Sequence, residues 1–562
     1  MRKSALLTGL LLGALFTIPL IAIQFLGDQW FGAPFGPYDV FDWLARVLPG
    51  DIIVRSIEAM VELIDRFDLG ETSQAASQLK KLSALGMFFG GGAVVGTALS
   101  VVLRRLNVRL TGYAQVLPGL LAGLAVGMPL VLISRDVNFS ATTSPTVSAA
   151  WLLGTTLVWG AVLSWSYYRL FPQPAVAPDT AATTASAPAT EPAAGPQVYA
   201  EQINRREFLV RVGGAAATFT VVGAGVGKLL QERDERQYLK RIRRNRAAAE
   251  MMPKDLPNQD DPLEPAPGTR PEYTPLEDHY RIDISLRPPE IDENEYELRI
   301  EGLVETPLRL SIDELRENYE PMDQFITLAC ISNPVGGSLT STILWTGVSL
   351  RDVLADAGLQ PSATHIKIMS ADRFFETVAL DLINEDPRVM LTYDWDGQPL
   401  LYRHGFPLRI YIPDLYGMKQ PKWIESIEVI DHDEDGYWVE RGWDKVARMK
   451  ATSVVDVAAV DESVVGEEGE TLVAIGGIAH AGARGISRVE VRVDDGDWVE
   501  AQLREPLSET TWVIWRYDWP FESGRHTFAV RCVEGDGTRQ IEDTQGTFPD
   551  GASGIHRLTR EL

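Results

Sequence analysis

Chemistry in this chain of 562 residues starts from its two cysteines, Cys330 and Cys532. They lie far apart, and neither has a CxxC or CxxCH context. A disulfide scaffold, a thiolate zinc site, a c-type haem and an Fe–S cluster are therefore poorly supported. Cys330 ends a β-branched run, FITLAC, and is followed by Ile331, Ser332, Asn333 and Pro334, then Gly336 and Gly337. A cysteine at a strand end beside a Gly/Asn/Pro loop is presented to a cavity that backbone can approach closely. Its thiolate suits a soft or high-valent metal centre. On composition alone, a buried structural cysteine is the better-supported alternative. The seven histidines, His279, His365, His404, His432, His480, His526 and His556, all follow residue 230. A membrane b-type haem commonly needs axial histidines, so no haem is expected in this chain.

The elements that must position Cys330 are short β-like runs mixed with helices. Tyr296–Ile300, His365–Met369, Leu408–Ile412 and Ile424–Ile430 have β character. Ser311–Arg316 and Ser349–Ala357 read as helices, each opened by a serine that can cap it. An α+β domain follows from that alternation. Further on, Val489–Trp498 alternates and turns at Asp495-Gly496, and Arg525–Val533 alternates too. With Arg531 outward, Phe528, Val530 and Cys532 face a core, so Cys532 reads as inert packing.

The N-terminal part is of another kind. Apolar runs at 5–26, 82–103, 114–134 and 147–168 are each long enough to cross a bilayer. The first also has the basic n-region of a secretory signal, but its length and lack of a small-residue cleavage site favour a retained helix. Arg2 and Lys3 precede it, and Arg104, Arg105 and Arg109 separate the second run from the third. The segment 27–81 is rich in acids and fits the opposite side. A Pro/Ala/Thr stretch at 172–204 reads as a flexible tether. Asn204-Arg205-Arg206-Glu207-Phe208-Leu209, opening a fifth apolar run at 208–230, resembles a twin-arginine export signal. The plainer alternative is a helix anchored by two arginines. Either reading places the domain after residue 230 outside. Seven basic residues between Arg233 and Arg246 oppose that orientation on a strict charge count. A net charge of −25 argues against a nucleic-acid partner.

The stretch from Phe325 through Gly337 resembles the cysteine loop of the sulfite-oxidase superfamily of molybdopterin enzymes. Tyr296–Val304, His404-Gly405-Phe406-Pro407-Leu408-Arg409, Tyr416–Trp423 and Gly436–Trp443 follow in that family's order. The resemblance implies an α+β molybdopterin domain at 253–455, after a membrane region at 1–171 and an anchor at 205–252. It also implies an immunoglobulin-like β-sandwich at 456–562, through which a homodimer would form. Molybdenum–molybdopterin is the implied cofactor, with Cys330 as metal ligand and Arg281 beside it in the catalytic site. Tyr280, Arg281, Ser370, His404, Arg409, Lys419, Gln420 and Lys422 are the implied cofactor-binding residues. Molybdopterin ends in an anion, and Arg409, Lys419 and Lys422 can converge on it through charge-assisted hydrogen bonds. Without the family match, His404 is simply a turn histidine before Gly405. Where the family often continues Tyr/Phe-Arg with Asn and His, this chain has Ile282 and Asp283.

The implied reaction transfers an oxygen atom and two electrons to or from a small molecule, with the redox chemistry carried by the cofactor. Sulfite oxidases place arginines directly after the ligand cysteine, whereas residues 331–334 here are uncharged. A neutral S-oxide or N-oxide is therefore at least as plausible as sulfite, since a dianion without cationic partners is costly to desolvate. A dedicated sulfite oxidase remains an alternative. A metal-free binding module would have eroded cysteine or basic positions, and a transporter would carry ionisable residues within its spans. The expected location is the cytoplasmic membrane, with the catalytic domain outside and a separate electron-transfer partner.

Overall fold

The structure, a computed structural model, describes residues 2–67, 72–106, 110–138, 143–171, 214, 256–466 and 469–562. The expected tether, the Arg205-Arg206 motif and the basic segment after residue 230 lie outside the described residues, as does the fifth apolar run apart from Gly214. Chain contacts divide the molecule into two compact bodies, Met1–Leu44 with Lys81–Gln237, and Ala45–Lys80 with Tyr238–Leu562.

Before residue 172, six α-helices form among the described residues: α1 (Arg2–Phe31), α2 (Gly36–Val47), α3 (Gly50–Phe67), α4 (Thr72–Arg105), α5 (Leu117–Val137) and α6 (Pro145–Leu170). Four stretches, Leu6–Phe31, Ala75–Arg105, Gly112–Val137 and Pro145–Leu170, are long and apolar enough to cross a membrane. They match the four apolar runs read from the sequence. In the first body α5 and α6 approach so closely that a Cβ on Gly119 would collide with the carbonyl oxygen of Gly160. Small residues at the contact are how apolar helices gain packing where no water drives them together.

In the second body the sheets begin with β1 (Leu298–Gly302), β2 (Leu308–Leu310), β3 (Pro321–Ala329), β4 (Thr340–Ser349), β5 (His365–Ser370), β6 (Phe375–Ala379), β7 (Met390–Trp395), β8 (Gln398–Pro399), β9 (Arg409–Tyr411) and β10 (Ile424–Ile430). One mixed sheet runs β2-β1-β10-β5-β6, with β1 and β10 parallel. The other runs β3-β4-β7-β8, and β9 also pairs with β7. Three short helices pack here: α7 (Ile312–Asn318), α8 (Leu350–Ala357) and α9 (Leu380–Glu385). Ser311 caps α7 in a reciprocal capping box with Glu314, and Ser349 accepts from the Asp352 amide to cap α8. Leu298, Ile300, Ile366, Ile368 and Ile427 form the fully buried centre of the core. The domain is α+β, as expected.

The C-terminal strands are β11 (Thr452–Val465), β12 (Thr471–His480), β13 (Ile486–Val493), β14 (Val499–Glu500), β15 (Gln502–Leu503), β16 (Val513–Pro520), β17 (Arg525–Glu534) and β18 (His556–Glu561). They make two four-stranded antiparallel sheets, β11-β12-β16-β15 and β14-β13-β17-β18. The sheets share a core containing Ile475, Val491, Trp515, Phe528 and Cys532, the expected immunoglobulin-like sandwich. Arg531 pairs with Glu490 and Glu542 on the outer face, as the alternation requires.

The acidic segment 27–81 holds more structure than its charge suggests. Its acids obscure an apolar stripe, Val54, Ile57, Met60 and Ile64, at helical spacing. That stripe shapes α3, and Val54 is buried beside Ile331, Met418 and Trp443. Arg46, in the same body, donates to Ser285 Oγ at 3.2 Å and to the Asp372 carbonyl at 3.0 Å.

Candidate active site

β3 delivers Cys330 to the edge of a cavity, and the loop after it is held by its own polar groups. The Cys330 amide donates to Leu339 O at 2.9 Å, and the Asn333 amide donates to Cys330 O at 3.0 Å. Asn333 Oδ1 accepts from the Leu339 amide at 2.8 Å, which closes the loop on itself. Cys330 Sγ lies 3.1 Å from Ser332 Oγ. Burial raises the thiol's pKa, while Ser332 and the charges of Lys80 and Lys422 pull it back.

The cavity that Cys330 lines is also lined by Tyr280, His404, Arg409, Gln420 and Lys422. These are six of the nine residues named from the sequence, and they come from the segment before β1, from the end of β3, and from β9 with its two flanking loops. The other three are not among its lining residues. Lys419 donates to Glu376 Oε1 at 2.5 Å and to Thr377 O at 3.0 Å, because a buried ammonium requires an acid and β6 provides one. Arg281 pairs with Asp283 beside the cavity. Ser370 is fully buried at the end of β5, and its hydroxyl has no hydrogen-bond partner among the described residues.

Arg409 is buried, with its guanidinium 4.7 Å above the Trp345 ring and one N–H donating to His404 O at 3.2 Å. Burial lowers its pKa to about 10, so it stays cationic at neutral pH. Among the described residues no carboxylate lies within ion-pair distance of it. Lys422 pairs with Asp283 and donates to Ile282 O at 3.2 Å. Burial pushes the Asp283 carboxyl up, but Arg281 and Lys422 outweigh it and hold its pKa down at about 2. The triad Arg281–Asp283–Lys422 occupies the place where the sequence departs from the family pattern.

His279 is a site residue that the sequence reading passed over. It lines the cavity, and its Nδ1 lies 2.6 Å from Ser341 Oγ. Its ring centroid is 5.2 Å from that of His404, and the two imidazoles stack among Trp345 and Trp395. Burial and then the Arg409 and Lys422 charges push the His279 pKa well down; burial, His279 and Lys422 do the same to His404. Both rings are neutral near pH 7, each with one donor and one acceptor nitrogen. Asp372 also lines the cavity, and burial raises its pKa to about 6.

The residues fit a molybdopterin. Gln420 donates to Ile412 O and Leu415 O at 3.2 and 2.8 Å, which leaves its buried Oε1 as an acceptor without a partner among the described residues. A buried acceptor aimed at a cavity matches pterin N–H donors, and a buried cation without a carboxylate matches an anionic tail. Among the described residues no group of three or more His, Cys, Asp or Glu is arranged to hold a metal ion. A metal on Cys330 would therefore take its remaining ligands from a cofactor.

One expected outcome concerns Asp283. Asp283→Asn leaves Arg281 and Lys422 facing each other and should cost about 2 kcal/mol at pH 6. The carboxyl's folded pKa lies below its unfolded one, so its contribution is present above pH 4 and is lost as pH falls toward 2. Urea denaturation at pH 6 and pH 3 should show the gap between wild type and variant narrowing at the lower pH. An unchanged gap would remove the triad's assigned role.

Comparisons with known proteins agree with this geometry. The oxidoreductase molybdopterin binding domain family matches residues 285–438, which include Cys330, His404, Arg409, Gln420 and Lys422. Mitochondrial sulfite oxidase of Macaca fascicularis is 27% identical over 313 residues, covering 48% of this chain and 56% of that protein. Sulfite oxidase of Arabidopsis thaliana is 27% identical over 259 residues, covering 38% of this chain and 65% of that one. NADH nitrate reductase 1 of Oryza sativa subsp. japonica is 26% identical over 288 residues, 40% of this chain and 31% of that one. The solved structure of the sulfane dehydrogenase SoxCD from Paracoccus pantotrophus is similar over 48% of this chain and 77% of that one, at 20% identity and TM-score 0.43. The chain spans about half the length of the first of these curated relatives, 56% of it. This chain therefore carries a molybdopterin-binding oxidoreductase domain, related to those of sulfite oxidases and nitrate reductases and joined to four membrane-length apolar helices.

Proposed function

We propose that this protein is a membrane-anchored molybdenum oxidoreductase that transfers an oxygen atom and two electrons to or from a small S-oxide, N-oxide or sulfite-like substrate outside the cytoplasmic membrane. The observation that carries this reading is that the Cys330 thiol and the Arg409 cation line one cavity. When bound there, the cofactor supplies the redox change and the oxygen-atom transfer. Cys330 would hold the metal. Arg409 would neutralise the anionic end, while His404 and the Gln420 acceptor orient the pterin. The Asp372 carboxyl, with its pKa near 6, can give or take a proton beside the cavity at neutral pH. Trp438, Trp443 and Phe374 line the same cavity and limit entry of water.

The outward placement is supported by the second body. The segment 45–80, which holds the connection between the first and second apolar helices and the start of the second, belongs to the same body as the catalytic domain. Arg2 and Lys3 open α1, and Arg104 and Arg105 close α4, at the opposite ends of those helices. If these basic ends are cytoplasmic, the connecting segment and the catalytic domain are outside. Electrons would pass through a separate partner protein, and the C-terminal sandwich would pair two copies.

The direction of reaction is tested by assaying molybdenum-loaded protein with reduced dye plus dimethyl sulfoxide or trimethylamine N-oxide, beside sulfite with an electron-accepting dye. Turnover of one of these substrates is expected. Loaded protein that turns over none of them would contradict the reading, and robust turnover of micromolar sulfite alone would assign it as a sulfite oxidase, the activity named for several relatives.

A further inference from the structure

The residues after Cys330 carry no charge, so an anionic substrate would need its cation from elsewhere. Such a cation lies in the same cavity. Lys80, near the start of α4, lines it together with Ile57 and Met60 of α3 and Ala76 of α4. These residues lie more than 200 positions before the matched domain, Ile57 and Met60 between the first two apolar helices and Ala76 and Lys80 near the start of the second. For Ile57 and Met60 that position is built into the fold, because Val54 of the same α3 is buried against Ile331, the residue next to Cys330. The Cα of Gly50 also abuts the backbone of Arg441, so closely that a Cβ there would lie 2.5 Å from its carbonyl oxygen.

Lys80 precedes the apolar run that begins at Leu82, and its ammonium donates to the Asp283 carbonyl at 3.3 Å. That contact holds it beside the Arg281–Asp283–Lys422 triad. Of the other cations lining the cavity, Lys422 pairs with Asp283, and Arg409 is the one assigned to the cofactor's anionic end.

We propose that Lys80 is a specificity-determining residue, the cation that holds an oxyanion substrate beside Cys330, while Ile57 and Met60 form an apolar lip that limits substrate size. The membrane region thereby contributes to substrate selection as well as anchoring. The inference rests on the proposed oxidoreductase reading and narrows its substrate class from S-oxides, N-oxides and sulfite-like molecules to small oxyanions.

The test uses the full chain in detergent, with molybdenum content measured for every sample. Sulfate serves as an unreactive oxyanion probe and dimethyl sulfoxide as a neutral one, with both affinities measured by calorimetry. Lys80→Met retains the apolar stem and should weaken sulfate binding about 10- to 100-fold. Its affinity for dimethyl sulfoxide and its molybdenum content should not change. Lys80→Arg should restore sulfate binding to within about threefold of wild type, since it returns the charge. Met60→Ala should admit a bulkier sulfonate with no change in sulfate affinity. Sulfate binding that is unaffected by Lys80→Met, or weakened equally with that of dimethyl sulfoxide, would overturn this inference alone. Wild-type protein without molybdenum would instead overturn the oxidoreductase reading.

Discussion

Cys330→Ser protein is expected to fold normally and to lose at least about 100-fold of its turnover, since changing even an outer-shell partner of a metal ligand typically costs 10- to 100-fold. The hydroxyl fits where the thiol sat and keeps the Ser332 Oγ neighbour. The hydrogen bonds that shape the loop run through Asn333, Leu339 and the Cys330 backbone, none of which the substitution touches. Thermal unfolding should therefore shift by about 1 kcal/mol or less. Cys532→Ser is the internal control. Cys532 is fully buried in the sandwich core, where burial pushes its thiol up to about 12. A polar replacement there should lower stability and leave turnover per molybdenum unchanged. If both substitutions behaved alike, Cys330 would be a structural cysteine.

Arg409→Met is expected to act in opposite directions on the empty and the loaded protein. Without cofactor, Arg409 is a buried cation with no carboxylate beside it, a costly arrangement that methionine relieves. Apoprotein stability should rise by about 1 kcal/mol or more. With cofactor, the charge-assisted hydrogen bonds to its anionic end are lost, so retention should fall by about 10-fold or more. Pterin and molybdenum content after dialysis, measured beside the apoprotein melting temperature, checks both halves. A variant that is less stable empty and keeps its cofactor would show that Arg409 is a structural cation.

The extent to which the site was legible differs from residue to residue. Cys330, His404, Arg409, Gln420 and Lys422 were readable because each sits in a short local motif and the motifs keep a fixed order along the chain. Lys419 was read as converging on an anion, and the structure gives it Glu376 instead. Its spacing from Lys422 carried no information about an acid on a strand more than 40 residues away in sequence. His279 was missed although it adjoins Tyr280. Its neighbours, Ser341, Trp345 and Trp395, come from β4 and β7, and only the sheet brings them around the ring.

The fold shows the same division. Runs of β character, period-two alternation and serine caps located β5 and β10, β13 and β17, and α7 and α8 respectively, whose determinants are local. α3 was hidden because acids interrupt its apolar stripe, although the spacing of Val54, Ile57, Met60 and Ile64 was available as a signal. That Ile57 and Met60 line the cavity depends on the long-range packing of Val54 with Ile331 and Trp443, and no local pattern encodes it.

The central claim, that Cys330 and the cations around it hold a molybdenum–pterin centre, is tested most directly by elemental and pterin analysis of the full-length protein from a host able to make and load the cofactor. The account predicts one molybdenum and one pterin per chain in the wild type, with the molybdenum's absorption signature altered in Cys330→Ser. Folded protein from such a host that contains neither molybdenum nor pterin would contradict it.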